Sequence, residues 1–413
     1  MPKSDLADES RVETQQAGPV DLLIGISGAV RANELQEHIK NFTNGFQERT
    51  GISSTVIAYA GTAEVQTDSV HGEDSHTPRF VSYPLATPDP TSPSWVVAAG
   101  AQRAICSLAQ ELDAKVCLVL RGDLAMLIPE QVQLLMQPIL EGKCDLVLPI
   151  YPLKKFEALL NHSILAPLAR ALYGQRVRHP LAPDFSCSAR MFQKLSESSS
   201  HSDGGLLWPA THAATSNYQV CQVNVNVQHA TQTEGLELST VLSSLAGATF
   251  AEMERYASYW QRVRNSQPTA TAGNLTQVVS DGEPVDAKPL IDSFLLGSRN
   301  LQEVWGLVLP PVTLLELKKL TRCGPESFRM PDELWVRIIY DFALAYRLRT
   351  INRGHLMGAL TPLYLGWVAS YVLEMASRSP LAAEQRFEQL ARAYEEGKPY
   401  LVSRWRWPDR FNP

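Results

Sequence analysis

The chain has 413 residues, more than one compact core usually holds, so two domains are expected. Its 45% hydrophobic and 19% charged content is that of an ordinary globular protein. The net charge of −6 comes with no basic stripe, which excludes nucleic acid as a main partner because phosphate neutralisation needs clustered Lys and Arg.

Residues 1–19 are polar and acidic, contain no signal-peptide apolar core, and read as a disordered lead. The chain has no uninterrupted apolar span of membrane length, so a cytoplasmic protein without a transmembrane segment is expected. Cys106, Cys117, Cys144, Cys187, Cys221 and Cys323 show neither metal-ligand nor redox spacing and read as small buried hydrophobes in a reducing compartment.

The first strand is expected at 21–27 (DLLIGIS), ended by Gly28. A helix follows over 31–47, then a strand at 53–59, a polar surface loop over 60–79, a short strand at 80–85 and an Ala-rich helix over 94–112. The apolar run Val116-Cys117-Leu118-Val119-Leu120 is too short for a helix and suits a strand buried on both faces. It stops at Arg121-Gly122-Asp123. Pro129 then marks a first helical turn, with Glu130 near the positive end of that helix, and a second buried strand occupies 144–150.

Beyond Tyr151 the spacing predicts a helix at 161–173. HPLAPDFSCSARMF follows, Pro-rich and then small and polar before an apolar helix, and a Ser-rich loop occupies 196–205. A half-exposed strand is expected at 219–228, with His229 at its end, and a helix over 236–264. Residues 265–288 are rich in Ser, Thr, Gly, Pro and Asp and read as a linker. The remainder is helical in pattern, with aromatic residues at core spacing, giving a C-terminal helical domain over 289–413. The expected class is therefore α/β: a mostly parallel sheet domain over 20–264, followed by an all-helical domain.

Ligands of open α/β sheets bind outside the carboxyl ends of the strands, and Asp123 sits at such an end. A carboxylate there can coordinate Mg²⁺ or Mn²⁺; taken alone, the residue reads more readily as an N-cap or a solvated turn Asp. His229 can be a second metal ligand, a phosphate contact or a plain surface residue. Asp184, stiffened by Pro180 and Pro183, can orient an acceptor hydroxyl or cap the next helix. Ser27 and Gly28 let backbone approach a nucleotide. G-x-G-x-x-G, P-loop and G-x-S-x-G motifs are absent, which disfavours dinucleotide, Walker-type and α/β-hydrolase chemistry.

The order of these pieces resembles a known family. It runs from a strand-end Asp through DLVLPIY (145–151), PLARALYG (167–174) and RHPLAPDFSCS (178–188) to a later strand ending in His. It is similar to the GT-A glycosyltransferases of the glucosyl-3-phosphoglycerate and mannosylglycerate synthase group over residues 20–260. KPYL (398–401) and Trp405 resemble the helical extension of bacterial members. The resemblance implies transfer of a sugar, with retention, from a nucleotide-diphosphate sugar to an acceptor hydroxyl or carboxylate-bearing molecule. Asp123 matches the last Asp of the metal-binding D-x-D motif, His229 the late metal ligand, and Asp184 an acceptor-side acid. The donor would then lie against Ser27, Gly28, Arg121, Gly122 and Asp123, with Arg121 and Asp184 as catalytic candidates.

The chain departs from the family pattern at four places. Arg121 stands for the first Asp of D-x-D, Tyr59-Ala60-Gly61 lacks a base-binding Asp, Leu207 replaces an Asp, and Ala182-Pro183 replaces Gly-Gly. Arg121 can neutralise a leaving diphosphate in place of part of a metal's charge, or simply pair with Asp123 or Glu130. The competing functional readings are an inactive GT-A-like binding or interaction protein and, more distantly, a nucleotidyltransferase. The aromatic helical domain also suits a homodimer.

Overall fold

The computed structural model describes residues 20–408, apart from 62–77, 84–93, 198–205, 228–236, 274–282 and scattered positions between 29 and 53. The expected lead at 1–19, most of the loop at 60–79, most of the Ser-rich loop, part of the linker and His229 lie outside the described residues.

Eight strands form one sheet: β1 (Leu22–Ile26), β2 (Thr55–Ala60), β3 (Arg79–Tyr83), β4 (Val116–Leu120), β5 (Leu146–Ile150), β6 (Phe185–Ser188), β7 (Val220–Asn224) and β8 (Ala270–Ala272). Their order across the sheet is β3-β2-β1-β4-β6-β5-β7-β8. All neighbours run parallel except β6, which is antiparallel to both β4 and β5. Because β1 and β4 lie side by side while β2 and β3 continue outward from β1, the strand order reverses between β1 and β4.

Every residue of β1, β4 and β5 is buried, as their unbroken apolar runs require. Alternate side chains serve opposite cores. Leu23, Cys117 and Val119 pack on the face covered by α1 (Ser94–Glu111), whereas Ile24, Leu118 and Leu120 pack on the face covered by α2 (Pro129–Leu140).

Three segments differ from the sequence expectation. The expected helix at 161–173 opens with a π-helical turn, Asn161–Leu165, before α3 (Ala166–Tyr173). The Pro-rich stretch before α4 (Ala189–Ser196) hides β6, whose Ser186 is fully buried and donates to the Leu135 carbonyl of α2. The expected linker contributes β8, a short exposed strand that continues the sheet beyond β7.

The remaining helices are α5 (Pro209–Thr215), α6 (Leu238–Arg255), α7 (Ala257–Trp260), α8 (Lys288–Asn300), α9 (Gln302–Val308), α10 (Pro311–Leu320), α11 (Asp332–Leu348), α12 (Arg353–Met375) and α13 (Pro380–Arg406). α12 is long and apolar enough to cross a membrane, but most of that stretch is buried, as befits a core helix apolar all round. One apolar core runs from α3 and α6 of the first part through α11, α12 and α13. Polar clamps join the two parts. Arg170 of α3 meets Glu388 at 2.6 Å and Glu395 at 2.8 Å. The Ser163 carbonyl in the π turn accepts from Trp335 Nε1 at 3.1 Å and from the Tyr394 hydroxyl at 2.7 Å. The residue four positions on is Pro167, which has no N–H to donate, and this leaves the Ser163 carbonyl open to partners from the helical part.

Candidate functional site

The reversal of strand order between β1 and β4 opens a crevice beyond their carboxyl ends, where α/β sheets bind ligands. Ser27 stitches its base: both its backbone N–H and its hydroxyl donate to the Leu120 carbonyl, at 2.7 and 3.0 Å. Gly28 then passes against the loop after β4. A Cβ at Gly28 would sit 3.3 Å from both the Cα and the backbone nitrogen of Gly122, a tight fit against backbone. The two loops touch because neither residue has a side chain at the crossing. Ser27, Gly28, Arg121, Gly122 and Asp123 are thus brought together.

The loop after β4 turns sharply. Leu124, with its side chain buried, is held at φ 55°, a left-handed conformation costly for a bulky residue. Ala125 N–H donates to Asp123 Oδ1 at 3.2 Å, which fixes the direction of this half-exposed carboxylate. The other oxygen, Oδ2, lies 3.1 Å from an Arg121 guanidinium nitrogen.

Asp184 reaches the same place because β6 runs backwards. Val119 pairs with Phe185, so the residue before β6 lies beside the end of β4. Asp184 has no exposed surface, and three donors hold it. They are the Arg121 backbone N–H at 2.8 Å, Arg121 Nε at 3.1 Å and the Tyr151 hydroxyl at 2.6 Å. Arg121 is itself only 4% exposed. Burial first, and the Asp184 charge second, push the Tyr151 hydroxyl well above its ordinary value, so it stays a proton donor to the carboxylate.

Tyr151 also borders a cavity of about 410 Å³ that no motif announced. Its walls come from α1, the segment between β5 and α3, residues 179–183, Leu206, Leu207, α6 and Tyr364 of α12. The helical part therefore completes a hollow begun by the sheet. His179 stands in its wall, edge-on to the Tyr151 ring at 5.4 Å and 3.4 Å from the Asn161 amide nitrogen. The sequence signal for Tyr151 was its place one residue past a buried strand; His179 and Gln102 carried none.

Among the described residues, one group of three metal-capable side chains comes together, and it is elsewhere. The sulfurs of Cys106, Cys117 and Cys187 lie within 4.8 Å of one another, fully buried under α1. Sequence spacing cannot show this cluster, because it joins a helix to two neighbouring strands.

No family model and no curated protein matches the chain. Among solved structures it is similar to the crystal structure of glucosyl-3-phosphoglycerate synthase from Mycobacterium tuberculosis in complex with phosphoglyceric acid. The identity is 14%, over 62% of this chain and 85% of that one, with a TM-score of 0.35.

Proposed function

We propose that the chain is a glycosyltransferase that uses a nucleotide-diphosphate sugar, whose diphosphate lies in the crevice between β1 and β4. The observation that carries this reading is the convergence of Ser27-Gly28 and Arg121-Gly122-Asp123 where the strand order reverses. The contact between Gly28 and Gly122 brings the two strand-end loops together beside the proposed pyrophosphate. Arg121 supplies the positive charge that stabilises the departing diphosphate.

Arg121 can do this without losing its anchor. Its bond to Asp184 is buried, whereas its partner Asp123 is 42% exposed. The Asp123 side of this contact is open to solvent, so we propose that an incoming phosphate takes the place of Asp123 there. Asp184 then acts as the positioning residue that aims the guanidinium. In the transfer, the acceptor oxygen bonds to the sugar's anomeric carbon. The bond from that carbon to the phosphate oxygen breaks, with its electron pair going to the diphosphate. The hydroxyl proton leaves on the same diphosphate.

A divalent ion requires several oxygen ligands. Of the two described strand-end carboxylates, Asp184 is fully buried and Asp123 is exposed, with one oxygen taken by Ala125 and the other facing a guanidinium. Mg²⁺ or Mn²⁺ is commonly held by one or two carboxylates together with the substrate's phosphates; Asp123 would be that ligand, and because it already faces Arg121 we propose Arg121 as the principal cation. The test is release of UDP or GDP from a panel of nucleotide sugars in excess EDTA. Turnover insensitive to EDTA is expected; complete dependence on added Mn²⁺ rejects Arg121 as the principal cation.

A second reading, a GT-A-like module that binds without catalysing, draws on the burial of Asp184, which offers no free base to an acceptor. Nucleotide-sugar binding without turnover for any acceptor selects it.

A further inference from the structure

The cavity beside the crevice has a wall chemistry that restricts what can fill it. No Lys, Arg, Asp or Glu is among its described lining residues. Its polar groups are the side chains of Gln102, Tyr151, Asn161, His179 and Tyr364. Gln102 donates to the Pro183 carbonyl at 3.3 Å, and Tyr151 donates to Asp184. The Asn161 amide nitrogen donates to the Arg178 carbonyl at 2.9 Å and lies 3.4 Å from His179 Nδ1. The remaining lining is aliphatic or aromatic, mostly Ala and Leu.

A phosphate or carboxylate in this hollow would be a buried charge without a counter-charge, which is strongly unfavourable. A neutral apolar body fits, and about 410 Å³ lies within the roughly 300–1,000 Å³ of small-molecule pockets. Tyr151 and Pro183 line the cavity, and both adjoin Asp184, Tyr151 through its hydroxyl and Pro183 as the preceding residue. That end of the cavity is therefore one hydrogen bond removed from the carboxylate that holds Arg121.

We infer that the cavity holds the acceptor, and that this acceptor is an uncharged, largely apolar alcohol rather than a phosphorylated or carboxylated acid. The word acceptor rests on the transfer reading above; the ligand class rests on the cavity alone.

The test uses the full chain and N-phenyl-1-naphthylamine, a neutral probe that fluoresces in apolar sites. The probe is expected to bind, and 1-decanol to displace it at concentrations at least tenfold below those needed for decanoate. 3-Phosphoglycerate should not displace it. Ala98→Phe, which fills the cavity from a half-exposed position on α1, should abolish binding with the melting temperature retained. Leu159→Gln, at a second half-buried lining position, should weaken binding severalfold. Equal probe binding by Ala98→Phe, or displacement by 3-phosphoglycerate as readily as by decanol, overturns the inference. Nucleotide-sugar binding is read separately by thermal shift. If the cavity behaves as expected and no nucleotide sugar binds, the transfer reading fails while the ligand class stands.

Discussion

Two regions adjoin the bond between Tyr151 and Asp184, and they are made differently. The loops after β1 and β4 are joined through glycines and carry a buried Arg121–Asp184 pair with Asp123 beside it, the place proposed for the diphosphate. The cavity is walled mainly by aliphatic side chains from both halves of the molecule, with no Lys, Arg, Asp or Glu among its described lining residues. The contrast teaches a division of labour: fixed charge belongs where charge develops, and its absence belongs where a neutral molecule must be held dry.

The sharpest way to break this contrast is to remove the carboxylate on which the charged side depends. Asp184→Ala leaves the Arg121 guanidinium buried without its main counter-charge, and should cost about 3–5 kcal/mol in urea unfolding. The double variant Arg121→Met/Asp184→Leu should recover most of that loss. A single-variant cost below about 1 kcal/mol would show that the pair anchors nothing.

The next effect concerns the aversion to charge on the cavity's side. Glu252 lies on α6, a helix that lines the cavity with Val241 and Leu245, and burial raises its carboxyl to about 7. Nearby Arg255 and Arg103 only partly offset this. An acid raised in the folded state imposes no penalty below its unfolded value of 4.5, and a growing one as pH rises toward 7. Glu252→Gln should therefore match the parent near pH 4.5 and exceed it at pH 8, by up to about 3 kcal/mol. Melting curves at both pH values check this, and an advantage that does not grow with pH contradicts it.

A smaller effect is expected at the glycine crossing. Gly28→Val forces a branched side chain against Gly122 backbone and should weaken nucleotide-sugar binding about tenfold, some 1.4 kcal/mol. Calorimetry measures the change; unaltered affinity would move the diphosphate out of the crevice. The smallest effect belongs to Asp123→Asn. Its half-exposed pair with Arg121 should shift stability by less than about 1 kcal/mol. Nucleotide affinity should hold or rise, because Arg121 loses a competing carboxylate. A large fall in affinity would instead make Asp123 a metal ligand.

Much of the crevice was legible in sequence because strand ends are. Apolar runs of five residues locate β1 and β4, and the residues that interrupt them, Ser27-Gly28 and Arg121-Gly122-Asp123, must stand at their carboxyl ends. The neighbour of Asp184 was not legible. β6 is four residues long, half of them serine, and lies behind two prolines, so neither alternation nor an apolar run marks it. Without that strand its direction is unknown, and Asp184 cannot be seen to sit beside Arg121. The cavity was hidden for another reason. Its wall is assembled from separated segments of the chain, and each of its leucines and alanines reads locally as ordinary core. The π turn was equally silent, since helical spacing is the same until Ser163 finds Trp335 and Tyr394.

The most direct measurement is the melting temperature of the full chain with UDP- and GDP-sugars in excess EDTA. A ligand at a hundred times its dissociation constant stabilises the folded state by about 2.7 kcal/mol, a rise of a few degrees. Such a rise with at least one nucleotide sugar, without any divalent ion, is the result predicted for a diphosphate held by Arg121. An unchanged melting temperature with every nucleotide sugar, whether or not Mn²⁺ is added, would contradict it.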